Sequence, residues 1–223
     1  METFQLNMTG CAACESLQDL RVRNPGDFKI TPRIIACNFL FKNLTCLKLH
    51  SGCSYFCTSH YLTDDDIDLL TKALPCLEDL AIGGEPCGVP SQITFKSLYT
   101  LSHRCTRLTG LLIHFNPASF ITKVGKDSES CNAALGLSDD ETLSSDLCPI
   151  TTINVGNIPL PGQHYASCVM ALGLLAVFPR LKVLKFENGE WGKVRDLIGV
   201  WSRFPVLFAR TQSSVCATLD NQN

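Results

Sequence analysis

Six times along this chain the same phrase recurs: apolar, two spacers, apolar, two spacers, apolar, one spacer, apolar. It reads Cys14-Leu17-Leu20-Val22, Phe41-Leu44-Leu47-Leu49, Leu74-Leu77-Leu80-Ile82, Cys105-Leu108-Leu111-Ile113, Leu147-Ile150-Ile153-Val155 and Phe178-Leu181-Leu184-Phe186. A phrase returning about every thirty residues is the signature of a stacked solenoid, in which each unit covers its neighbour's apolar edge. The last two apolar residues of each phrase alternate with one other residue, as a short half-buried strand requires. Six such strands, stacked in parallel, form one sheet. Repeat architectures mostly bind other macromolecules, which turns the question from a reaction to a partner.

Helices fill the spaces between strands. Thr63 is a suitable N-cap with Asp66 at the capping-box position, and Asp64, Asp65 and Asp66 meet the positive end of the helix dipole. Ile67, Leu70 and Leu74 then recur at helical spacing. Ile93-Thr94 opens a second helix, with Leu98, Leu101 and Cys105 on one face. Thr31-Pro32 reads as an N-cap followed by proline at the first helical position, starting a helix through Ile34, Ile35 and Phe39. Residues 163–178 are apolar nearly all round, the mark of a helix buried on more than one side. Trp191 to Phe204 reads as a last helix with Val194, Leu197, Ile198 and Trp201 inward.

The step from Leu108 to Ile150 is longer than the others, and residues 116–146 are rich in Ser, Asp and Glu. That composition predicts an extended, partly disordered loop inserted into a repeat domain spanning 1–210, followed by a polar tail over 211–223. Acidic residues after Ser138 suit an acid-directed kinase, with an inert linker as the plainer reading.

A hydrophobic content of 45% is ample for a core, and a net charge of −2 argues against a general nucleic-acid binder. METFQLNMTG shows no signal peptide, and the apolar stretch from Cys168 to Phe178 is too short to span a bilayer. The expectation is a soluble cytoplasmic or nuclear protein with no membrane partner. The 13 cysteines are odd in number, so a disulfide framework is not expected; Cys14, Cys76 and Cys105 sit at repeat core positions, where a thiol acts as a small hydrophobe.

Two consecutive stretches, LTDDDIDLLTKALPCLEDLAI (62–82) and ITFKSLYTLSHRCTRLTGLLI (93–113), resemble the cysteine-containing leucine-rich repeat of F-box/leucine-rich-repeat proteins. The INVGNIPL turn, the FPRLKVLKF strand and the Trp191/Val194 helix look like the fungal branch of that family. The resemblance implies an α/β leucine-rich-repeat solenoid of about six repeats, horseshoe-like, with parallel strands on the concave face and helices on the convex face. It further implies a substrate receptor of an SCF-type ubiquitin ligase, in which an F-box docks a Skp1-type adaptor and the repeats hold the protein substrate. Here the repeats begin within the first twenty residues, leaving no room upstream for an F-box in this sequence. The adaptor is therefore expected as a partner only where an F-box precedes this sequence. The alternative is a free-standing interaction scaffold unconnected with ubiquitin.

Residues between the inward apolar positions should line the concave face. They include Arg21 and Arg23, Lys48 and His50, Asp79, Leu112 and His114, Asn154, and Lys185 and Glu187, a surface basic at its start and small or apolar in its middle. These are the expected partner contacts. A zinc-stabilised module is a weaker reading, carried by Cys11-x-x-Cys14 and by His50, Cys53, Cys57 and His60. Against it, Cys14 belongs to the repeat core and His50 to the concave face, so no metal site is assigned. No nucleophile elbow, phosphate loop, zinc-protease helix or dinucleotide turn occurs, so no catalytic residue and no cofactor are assigned.

Overall fold

The structure is a computed structural model that describes residues 16–24, 41–51, 62–84, 91–126, 149–156, 158–162, 165–187 and 189–203. Six strands form one sheet: β1 (Asp19–Asn24), β2 (Cys46–Ser51), β3 (Asp79–Gly84), β4 (Gly110–Ile113), β5 (Thr152–Asn154) and β6 (Val183–Lys185). They lie side by side in chain order, every neighbouring pair parallel. The repeated phrase sets the register. Leu20, Leu47, Leu80, Leu111, Ile153 and Leu184 align in one row, and Val22, Leu49, Ile82 and Ile113 in the next. A slip of one residue would turn each of these side chains out of the core, so burial enforces the alignment.

A backbone device recurs just before the strands. The Gln18 carbonyl accepts from the N–H groups of Thr45 and Cys46, both at 2.9 Å. The Thr45 carbonyl accepts from Glu78 and Asp79, that of Glu78 from Thr109 and Gly110, and that of Thr151 from Lys182 and Val183. The hydroxyls of Thr45 and Thr109 add a third donor, each at 3.1 Å, to the carbonyls of Gln18 and Glu78. One acceptor thus fixes where the following strand begins.

Five helices are described: α1 (Asp64–Ala73), α2 (Phe95–Arg104), α3 (Pro117–Lys126), α4 (Ala166–Val177) and α5 (Gly192–Trp201). α1 packs on α2, both α2 and α3 on α4, and α4 on α5. Their inner faces share one apolar core with the leucine rows of the sheet. Ala81 is buried yet lies outside that core, on the opposite face of the sheet.

The capping box expected at Thr63 is present: its hydroxyl accepts from Asp66 N, while Asp66 Oδ2 accepts from Thr63 N at 2.8 Å. Thr94 caps α2 as its sequence indicates. Of the aspartate triplet only Asp65 is exposed. Asp64 reaches into the following repeat, where its carboxylate accepts from Thr94 N at 2.8 Å, from Thr94 Oγ1 at 2.6 Å and from the hydroxyl of fully buried Ser97. Truncating Asp64 to alanine leaves these donors without an acceptor, and an unsatisfied buried donor costs about 1–3 kcal/mol. A urea midpoint lowered by that amount at unchanged slope is the expected result; an unshifted midpoint would reject the coupling.

α4 is buried on more than one side, as its composition predicted, with only Ser167, Cys168 and Ala176 partly exposed. Its Gly173 has a packing reason. A Cβ there would stand 2.5 Å from Phe120 Cε1, and Phe120 is held in a stack on Phe95 with centroids 4.1 Å apart. α5 buries Val194, Ile198 and Trp201, with Leu197 packed at the edge of the core.

Two expectations change. The inserted segment does not start as an extended loop, because residues 117–126 form α3. Phe120, Ile121 and Val124 give these ten residues an apolar helical face, and Pro117 stands at the first helical position. The Ser- and acid-rich part follows that helix and lies outside the described residues, as do the Thr31-Pro32 helix and the 211–223 tail. Cys76 is half-buried rather than a core residue, because it sits in the turn after α1 while Leu74 and Leu77 take the buried positions. Cys105 is buried as expected, and Cys14 lies outside the described residues.

Candidate functional site: the sheet face opposite the helices

Alternate residues of each strand point away from the core, and the register sorts them into rows. Asp19, Cys46, Asp79, Gly110, Thr152 and Val183 form the first row. Arg21, Lys48, Ala81, Leu112, Asn154 and Lys185 form the second. The third runs from Arg23 through His50 to Gly83 and continues past the ends of the later strands with His114, Gly156 and Glu187. The sheet therefore brings all ten of the expected contact residues to one face.

The charges at the start of that face are not free. Arg21 donates to Asp19 from Nε and Nη2, the latter at 2.8 Å, and Lys48 reaches across to Asp79 in an ion pair. The guanidinium holds the Asp19 carboxyl below the usual carboxylate range, with smaller help from Cys46 and Lys48. Within the expected basic end, Arg21 and Lys48 are thus each paired with a carboxylate. The signal was present in the sequence: Lys48 is two positions past Cys46, which aligns with Asp79, so the two charges are diagonal neighbours. Cys46 stands between Asp19 and Asp79 in the first row. Burial, and then the carboxylates of Asp19 and Asp79, push its thiol up and disfavour the reactive thiolate.

The middle of the face is shallow. Ala81 aligns with Lys48 on one side and Leu112 on the other, and these larger side chains cover it. Asn154 accepts from Gly156 N at 2.9 Å, which turns the chain where Gly156 adopts a φ of 59°. At the far end Val183, Lys185 and Glu187 are exposed.

His114 departs from expectation. It lies in the row predicted for partner contact, yet it is only 7% exposed. The cause is its neighbours. A Cβ on Gly156 would fall 2.6 Å from His114 Nε2, and one on Gly83 would fall 3.7 Å from the same atom. The imidazole occupies the space that a side chain at 156 would fill, and it lies in ordinary contact range of position 83, where Leu112 Cδ2 stands nearer, at 3.2 Å. Burial alone lowers the His114 pKa below its ordinary value of 6.5. A histidine followed across the register by glycines in both adjacent repeats was the available sequence signal.

Of the zinc constellation only His50 is described; Cys11, Cys14, Cys53, Cys57 and His60 lie outside the described residues. Among the described residues no group of three or more His, Cys, Asp or Glu side chains is gathered as a metal site. No helix among them is long and apolar enough to cross a membrane. No family model matches the chain, and no curated protein or solved structure matches it.

Proposed function

We propose that this chain is a leucine-rich-repeat solenoid that binds a protein through the sheet face opposite its helices, as the substrate-recognition part of an SCF-type ubiquitin ligase receptor. The observation that carries the binding reading is the sidedness of the sheet. One row set is buried in the core from β2 to β6 and packs at its edge in β1, while the alternate set offers side chains from every strand on the other face. Parallel sheets are ordinarily covered on both faces, so one whose described helices all pack on a single face offers a natural docking surface. The ubiquitin-ligase part rests on the cysteine-containing repeats at 62–82 and 93–113. The partner is a protein substrate in the cytoplasm or nucleus, with neither a cofactor nor nucleic acid involved.

The paired charges sharpen the test. Reversing Arg21, Arg23 and Lys48 to glutamate sets new carboxylates beside Asp19 and Asp79 and turns the near end of the face acidic. Such exposed pairs are worth little to stability, so the triple variant should fold. Its recovery of the partner found with the unaltered chain should fall at least tenfold in affinity capture with mass spectrometry, like charges in an interface costing several kcal/mol. Undiminished capture by a folded triple variant would remove this end of the face from the interface. The ubiquitin arm is separate. The same capture from a form extended upstream to an F-box should recover a Skp1-type adaptor and cullin beside that partner. Failure to recover them would leave a scaffold with no ubiquitin role.

A further inference from the structure

Buried polar groups nearly always have a hydrogen-bond partner, so one without demands a physical account. His114 is such a group. It is more than nine-tenths buried, and among the described residues neither ring nitrogen makes a hydrogen bond. It is seated on glycine, with Gly83 on the β3 side and Gly156 on the β5 side contributing no side chain. The titratable side chains nearest along its row stand one strand further off, His50 beyond Gly83 and Glu187 beyond Gly156. Lys48, Asp79 and Lys185 belong to the two rows below, and the nearer uncharged neighbours are Leu112 and Asn154. None of these charged groups moves the titration of His114, which responds to burial only.

A neutral imidazole tolerates this seat; an imidazolium does not. An ion taken out of water with no counter-charge faces a penalty of several kcal/mol, so the proton must stay off or the ring must leave. The seat makes leaving simple. Because Gly83 and Gly156 lack side chains, a rotation of His114 toward solvent breaks no side-chain interlock on either flank. It uncovers two glycine backbones and delivers a positive charge between Glu187 and the Lys48–Asp79 pair.

We propose that His114 on its glycine seat is an acid-operated device at the centre of this face: the ring is packed when neutral and swings out when protonated, changing the face in shape and charge. The device rests on the seat alone and stands whether or not the face binds a protein.

The sign follows from linkage. With the folded-state pKa below the unfolded one, acid drives protons onto the unfolded or swung-out form first. The packed arrangement is fully stable above the ordinary value of 6.5 and loses stability as pH falls below it.

The test is an NMR titration of the full 223-residue chain between pH 8 and about 4.5. Imidazole signals report His114, and backbone amides report Gly83 and Gly156, with His114→Gln as the comparison. A His114 midpoint below 6.5 is expected, with the amides of Gly83 and Gly156 shifting at the same midpoint. Those amide shifts should be absent in H114Q, whose side chain carries no titrating group. A His114 midpoint at or above 6.5 in the unaltered chain would overturn the proposal, and that measurement needs no variant. So would glycine amide shifts that persist in H114Q, since another group would then be their source.

Discussion

Replacing Trp191 with alanine is expected to remove about 3–5 kcal/mol of folding stability. Trp191 is fully buried, and it stands where the last strand hands over to the last helix. Its indole Nε1 donates to the Ile158 carbonyl at 2.7 Å, and its ring meets Phe115 edge-on with centroids 6.2 Å apart. The preceding Glu190 accepts from Leu160 N at 2.9 Å, so the turn at Gly189–Trp191 grips the 158–160 segment twice. Alanine removes the packing volume and the donor together. Trp191→Phe separates the two effects. It keeps most of the ring and orphans only the carbonyl, for an expected loss of about 1–3 kcal/mol. Urea denaturation of both variants at equal slope is the measurement. An alanine variant within about 1 kcal/mol of the parent would mean that the ring is not a packing element of the folded chain.

Alanine at Gly156 is expected to cost about 2–4 kcal/mol, from two sources that can be told apart. The backbone there has a φ of 59°, a left-handed conformation that costs a residue with a Cβ about 1–2 kcal/mol. The new methyl would also stand 2.6 Å from His114 Nε2, so the imidazole must move off its seat. Pairing Gly156→Ala with His114→Ala removes the second source and keeps the first. In a double-mutant cycle the combined loss should therefore fall short of the sum of the single losses by about 1 kcal/mol or more, as expected for residues in contact. Strict additivity would show that the methyl does not meet the ring.

The parallel sheet was legible because its evidence is redundant. Each of six repeats states the same apolar spacing, so a weak local pattern becomes a strong collective one, and register follows from burying the rows. The helix starts at Thr63 and Thr94 were legible for a different reason: capping is local chemistry, carried by side chains within one turn. What escaped were properties of neighbouring repeats taken together. Asp64 looks like a surface acid until Thr94 and Ser97, some thirty residues later in the chain, are set against it. Lys48 looks like a free cation until Asp79 is placed diagonally across from it. His114 looks like a contact residue until two glycines from two other repeats are placed beside it. α3 was obscured by averaging: the acid-rich composition of 116–146 hid the apolar face made by Phe120, Ile121 and Val124.

The doubly used carbonyl ahead of each of four strands fixes alignment at a single point. The leucine rows then keep that alignment without reference to what joins the strands. The joining segments are accordingly free to lengthen, and β5 still pairs in register with β4 after the longest connection in the chain. The outward rows enjoy a related freedom, because alternate positions along a strand never enter the core. Two vocabularies are thus interleaved in each short strand, one spelling the scaffold and the other spelling what the scaffold displays. Most substitutions in the second leave the first unread, Gly156 beside His114 being an exception, so the displayed face can vary one strand at a time while the core beneath it stays the same.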